Sequence, residues 1–178
     1  MAETQRSLAE LLANLPDNIT GLIDPEDIRD VLISLKPSHG SLFRNVAADT
    51  VIGTPGTYVK ALGTTTAGGL EDLTMPADNR LTFTGISPRH FHIVATVSMT
   101  ASGSNKIVGL KIAKNGIVID ESVVRRAITT GADIGAIALQ ADILMDTDDY
   151  VELWVTNEST ATNVRLDEFN MHAAGTLE

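Results

Sequence analysis

The chain has 178 residues, 43% of them hydrophobic and 20% charged, enough to bury a core in one domain with an appendage. Thirteen basic against twenty-three acidic residues give a formal charge of -10, which repels phosphate backbones and anionic membranes, so neither nucleic acid nor a membrane is an expected partner. The absence of cysteine excludes disulfides and thiolate metal sites, and the opening "MAETQRSLAE" lacks the apolar stretch of a signal peptide, so synthesis in a cytosol is expected.

Two short helices are predicted in residues 1–36. In "SLAELLANLP", Ser7 and Glu10 have the spacing of a capping box, Leu8, Leu11, Leu12 and Leu15 share one side, and Pro16 stops the helix. In "IDPEDIRDVLISLKP", Asp24 can cap, Pro25 suits the first helical position, and Ile28, Val31, Leu32 and Leu35 recur as a single apolar stripe before Lys36 and Pro37 end the run. Helices shorter than about 12–15 residues are marginal alone in water. Each stripe therefore needs something to lie on: the other helix, a sister chain, a partner to which it would anchor the protein, or, as a helical cap, the chain's own domain. Residues 37–56 lose periodicity and carry prolines and glycines, which predicts an extended arm able to span up to roughly 65 Å.

From residue 57 to the end at 178 the period is two, and an all-β domain is predicted. "HFHIVATVSM" places Phe91, Ile93, Ala95, Val97 and Met99 on one face, with His90 and His92 on the other. "IVGLKIAKNG" groups Val108, Leu110 and Ile112, and Asn115-Gly116 has the chemistry of a tight hairpin turn leading into a further strand over 116–124. "IGAIALQADILM" aligns Ile137, Leu139, Ala141 and Ile143, and "YVELWV" aligns Val151, Leu153 and Val155 opposite Tyr150, Glu152 and Trp154. In "NVRLDEFNMHA" the apolar phase changes between Leu166 and Phe169, which predicts a bulge near Asp167-Glu168. About eight or nine strands in this span fit a two-sheet antiparallel jelly roll, giving a mainly β fold preceded by two short helices and an arm.

Common catalytic and phosphate-binding motifs are absent from the sequence, and no enzymatic activity is expected. A pair of carboxylates for glycan hydrolysis could be assembled from Glu121 with Asp120, or Asp142 with Asp146, only by assumption. His90 and His92 alternate on one strand but need a third ligand to hold a metal, so neither a metal nor another cofactor is expected. Asp146, Asp148 and Asp149 in "DTDDY" lack the pattern of a calcium loop and suit a solvated turn. Tyr150 and Trp154, two of only seven aromatic residues, stand together on what should be an outer face, which points to contact with another subunit; His92 is a further candidate for that interface.

The strand beginning "HFHIVATVSM", the turn "IAKNGIVI", the stretch "GAIALQADILMDTDDYVELWV" and the closing "NVRLDEFNMHA" together resemble the TNF/C1q-like jelly-roll knobs of tailed-bacteriophage virion proteins, over about residues 57–174. "IDPEDIRDVLISLKPSHGSLF" is similar to the N-terminal attachment segments of the same class. Asp148-Asp149 departs from the glycine-aspartate turn expected before "YVELWV". The resemblance implies a homotrimer on the outer capsid surface: a decoration or cement protein, or a head fibre. Its N-terminal segment would bind the major capsid protein, with a host glycan or receptor as a further possible partner of the knob. A short tail fibre or receptor-binding tip, attached to a tail or baseplate protein, is the alternative; the lack of repeats or coiled coil between helices and knob favours the head.

Overall fold

The period-two segments pair into two antiparallel sheets whose apolar phases face each other. The computed structural model describes Glu10, residues 25–129 and residues 133–176; Leu8, Leu11, Leu12 and Leu15 lie outside them. Among the described residues the helix α1 (Pro25–Ser34) precedes the strands β1 (His39–Arg44), β2 (Ala48–Thr50), β3 (Val59–Lys60), β4 (Thr66–Glu71), β5 (Leu73–Thr74), β6 (Leu81–Phe83) and β7 (Arg89–Ala101). The chain continues through β8 (Lys106–Lys114), β9 (Ile117–Val118), β10 (Val124–Ile128), β11 (Gly135–Met145), β12 (Tyr150–Asn157) and β13 (Val164–Thr176).

The first sheet has the order β11-β7-β13-β1-β4, with β2 also paired to β13; the second has the order β10-β8-β12-β6-β5, with β3 on β12 and β9 on β8. This is a jelly-roll sandwich. Alternation decides which side chains enter it: Phe91, Ile93, Ala95, Val97 and Met99 from β7 are buried, and they meet Leu110, Ile112, Leu153 and Val155 of the second sheet in one core. Phe83 and Phe91 cross edge to face, with centroids 5.1 Å apart. Each such side chain contributes roughly 1.5–3 kcal/mol on burial.

Local chemistry fixes the turns. Asn115 and Gly116 both take positive φ, 52° and 76°, and Ala113 and Lys114 pair with Val118 and Ile117, as a hairpin of this type requires. The β7–β13 register shifts between Leu166 and Glu168, which is the expected bulge. Asp148 itself adopts the left-handed conformation at φ 70°, in the place where a glycine was expected.

Two expectations are corrected. Residues 37–56 are not a detached arm: β1 pairs with both β13 and β4, and β2 pairs with β13. The strand expected over 116–124 breaks after β9 into a 3-10 turn, Asp120–Ser122, where the Ser122 hydroxyl donates to the carbonyl of Ile119 at 2.7 Å and accepts from the Ile112 N–H at 2.9 Å. β13 ends beside the start of β1, with the Gly175 N–H on the Ser38 carbonyl at 2.8 Å, while β7 runs from this end of the sandwich to the opposite one.

Candidate functional site

Three surfaces hold the residues singled out by the sequence. The first is α1, which docks on the sandwich by its polar side. Asp30 and Ser34 are buried at 4% and 5% exposure, whereas Ile28, Leu32 and Leu35 are 48%, 63% and 48% exposed and Val31 is half-buried. The buried Arg89 guanidinium donates to the carbonyls of Ser34, at 3.2 Å, and Lys36, at 3.0 Å. A cation there satisfies carbonyls that the last helical turn leaves without intrahelical partners and complements the negative end of the helix dipole. The apolar stripe is thereby turned outward.

The second surface is the outer face of the second sheet. Glu152, only 2% exposed, is its centre. One of its carboxylate oxygens accepts from Lys60 Nζ at 2.7 Å and from Arg80 Nε at 2.9 Å, and the other accepts from Trp154 Nε1 at 3.1 Å. Burial opposes ionisation of Glu152, but the donors Lys60, Trp154 and Arg80 outweigh it and hold the carboxyl below its ordinary range. The Arg80 guanidinium also lies 3.8 Å from the centre of the Tyr150 ring. Tyr150 and Trp154 are both half-buried and both engaged within this cluster.

The third surface is the outer face of the first sheet, where His92 stands. It is therefore on the opposite side of the sandwich from Tyr150 and Trp154, and the structure does not bring the three together. His92 Nδ1 is 2.7 Å from Asp142 Oδ1, directly across the β7–β11 pair. A shallow groove of about 570 Å³ opens on the same face, lined among others by Phe43, Thr96, Ser98, Ala136 and Ala138.

The strand registers reveal an arrangement that the sequence reading did not find. All four histidines of the chain project from this face: His39 on β1, His90 and His92 on β7, and His172 on β13. Among the described residues no group of three His, Asp or Glu side chains converges as a metal site. Nor is any described helix long and apolar enough to cross a membrane. In the "DTDDY" turn, Asp149 accepts from the Asp146 N–H at 2.8 Å and pairs with Lys114 at 2.7 Å, so its charge is used in holding the turn.

No protein-family model and no curated protein matches the chain. Solved structures do resemble it. The crystal structure of murine APRIL at pH 8.5 superposes with a TM-score of 0.51 at 6% identity, covering 79% of this chain and 100% of that one. Eiger TNF from S. frugiperda gives 0.51 at 8% identity, with 79% and 94% coverage. The fold is a TNF-like jelly roll. PRD1 vertex protein P5 is also similar, with a TM-score of 0.46 at 12% identity over 78% of this chain and 96% of that one.

Proposed function

We propose that this protein is a homotrimeric structural component of a tailed-phage virion, a capsid decoration or cement protein or a head fibre. The observation that carries the reading is the inverted seating of α1: its polar side is fastened to the jelly roll through Arg89, and Ile28, Leu32 and Leu35 face outward. An apolar stripe held this way is a gripping surface carried by the knob, and it suits a groove on the major capsid protein. The resemblance of the N-terminal segment and of the β strands to phage virion proteins points the same way.

Three copies give the arrangement its strength. One short helix buries little area and binds weakly, but three joined to one knob bind together at high effective concentration when their spacing matches repeated sites on a shell. Leu8, Leu11, Leu12 and Leu15 would extend the same grip. The knob would then project outward and reinforce the shell, with its exposed end available to a host glycan or receptor.

The test is co-sedimentation of the full chain with empty capsids of its virion, beside the variant Leu32→Asp. Wild type should pellet with capsids, and the variant should stay in the supernatant as a folded protein of unchanged mass. Wild type that ignores capsids and pellets with tails would move attachment to a tail or baseplate protein, and equal pelleting of both forms would take the anchor away from α1.

A further inference from the structure

The strand registers lay out the outer face of the second sheet in rows. Trp154 on β12 stands between Lys111 on β8 and Lys60 on β3. The row on one side holds Thr156, Gly109 and Arg125 of β10; on the other lie Glu152 and Ala113, then Tyr150 and Thr82 of β6. Tyr58, just before β3, reaches past β12 into the notch left at Gly109, where a Cβ would lie 2.5 Å from its hydroxyl. Lys111 Nζ is 4.6 Å from the centre of the Tyr58 ring. Both tyrosines and the single tryptophan of the chain are therefore on this side.

Its charges are unevenly answered. Arg125 pairs with Glu158 and Lys111 with Asp120, whereas Lys60 and Arg80 share Glu152, at 2.7 and 2.8 Å. Glu152 is buried, while Lys60 and Arg80 are 28% and 31% exposed, so an approaching group meets the surplus positive charge before the carboxylate. On a chain of formal charge -10 this is a local reversal of sign. Hydrogen-bonding capacity is left over as well. Among the described residues five buried side-chain polar atoms lack a partner, and three of them, Tyr58 Oη, Thr82 Oγ1 and Thr156 Oγ1, lie on this side. Buried hydroxyls are ordinarily paired.

We propose that this face binds an acidic saccharide, with a sugar ring on Trp154 and the sugar carboxylate between Lys60 and Arg80. It rests on the virion reading above for its setting, and gives the host-glycan contact a place on the knob. Each part of the ligand has its counterpart. The apolar face of a pyranose suits a half-buried indole, and a carboxylate suits a lysine and a guanidinium that share one counter-charge. Sugar hydroxyls can answer polar groups that the chain leaves without partners. From Tyr150 to Thr156 the face runs about 20 Å at ~3.3 Å per residue, room for several linked rings. A second copy is a poorer occupant. Interface cores are depleted of lysine and acidic residues, and closing a protein over Lys60, Lys111, Asp120 and Glu158 would take their charges out of water.

The single tryptophan makes the test direct, because all indole fluorescence of the full chain comes from Trp154. The probes are trigalacturonate and sialyllactose, with the trigalacturonate methyl ester and lactose as uncharged counterparts and sodium acetate as a plain anion. The acidic sugars should shift the emission in a saturable way at millimolar concentration, with unchanged molar mass by light scattering, and the shift should weaken with added salt. Lys60→Gln, checked for folding by circular dichroism, should bind about tenfold more weakly or worse. Four results would overturn the proposal: neither acidic sugar moves the emission, the uncharged counterparts bind as well, acetate reproduces the shift, or Lys60→Gln binds normally. Emission that follows protein concentration together with molar mass would give the face to a second copy instead. No capsid enters the titration. Sugar binding without capsid binding would keep this site and sink the virion reading, and capsid binding without sugar binding would do the reverse.

Discussion

Arg89 donates to the main-chain carbonyl of Ser34 from the first position of β7, so the end of the helix and the start of a core strand are joined by one buried guanidinium. Its second donor goes to Lys36 at 3.0 Å. Replacing Arg89 with Ala should leave two carbonyls without their donor and loosen α1 while the sandwich persists. A loss of about 1.5–3 kcal/mol is expected for hydrogen bonds made by a charged group. Hydrogen exchange across residues 25–38 should accelerate by the corresponding factor, with the core strands little changed; unaltered exchange in that segment would show that other contacts hold the helix.

Asn79 ties three segments of the second sheet together. Its side-chain amide donates to the carbonyls of Ala61, at 3.0 Å, and Leu153, at 2.8 Å, and its oxygen accepts from the Leu153 N–H at 3.1 Å, all at 1% exposure. Its φ of 52° lies in the left-handed region that asparagine tolerates better than most residues. Asn79→Ala should therefore cost about 3 kcal/mol or more, each buried backbone group left unpaired contributing to the loss. Urea denaturation measures it, and a cost under about 1 kcal/mol would mean that neighbouring groups take over the bonds.

Acid should unfold the knob through Glu152. Because the folded carboxyl is held below its ordinary range, its contribution is complete above the unfolded carboxyl pKa of about 4.3 and disappears as pH falls through the lower folded value. Glu152→Gln should flatten the pH dependence of the melting temperature in that acidic window and lower stability near neutrality by about 1.5–3 kcal/mol. An unchanged acid limb in the variant would assign acid sensitivity to other carboxylates.

Trp154 tests the opposite face of the sandwich. Trp154→Phe keeps an aromatic ring but removes the donor to Glu152, so it should shift acid unfolding to higher pH and leave the assembly mass unchanged. A variant that falls to a single chain would place Tyr150 and Trp154 in a subunit contact, as their pattern in the sequence suggested.

The long strands were legible because their inward phase is apolar apart from strand ends such as Arg89 and Asn157: β7, β8, β11 and β12 each repeat Val, Ile, Leu, Ala, Met or Phe at every second residue through their middle. The Asn115-Gly116 hairpin and the bulge at Asp167 were legible from turn chemistry and a change of phase. β1 was hidden because its inward positions are Gly40, Leu42 and Arg44. Glycine and arginine do not read as core, yet Gly40 lets Leu70 and Leu73 close over the backbone, and the Arg44 guanidinium donates to the carbonyls of Leu62 and Leu166. With β1 unread, the gathering of the histidines on one face could not be read either. It depends on which strands become neighbours, and pairing between residues more than a hundred positions apart leaves no trace in local pattern. The helix stripe was legible, but its outward orientation was not, since only the buried partner Arg89 decides which side of α1 meets the sandwich.

The hydrogen bond from Gly175 to Ser38 brings the end of β13 alongside the start of β1, next to the helix. A polypeptide fused after β13 would thus emerge beside the exposed apolar stripe of α1 and compete with it for space. The turns after β7 and β12, spanning 102–105 and 158–163, sit at the other extremity, where positive φ at Gly103 and Asn105 already shapes a tight reversal. Cargo inserted there would be carried clear of α1 and the end of β13, making those two turns the natural ports for displaying a foreign peptide.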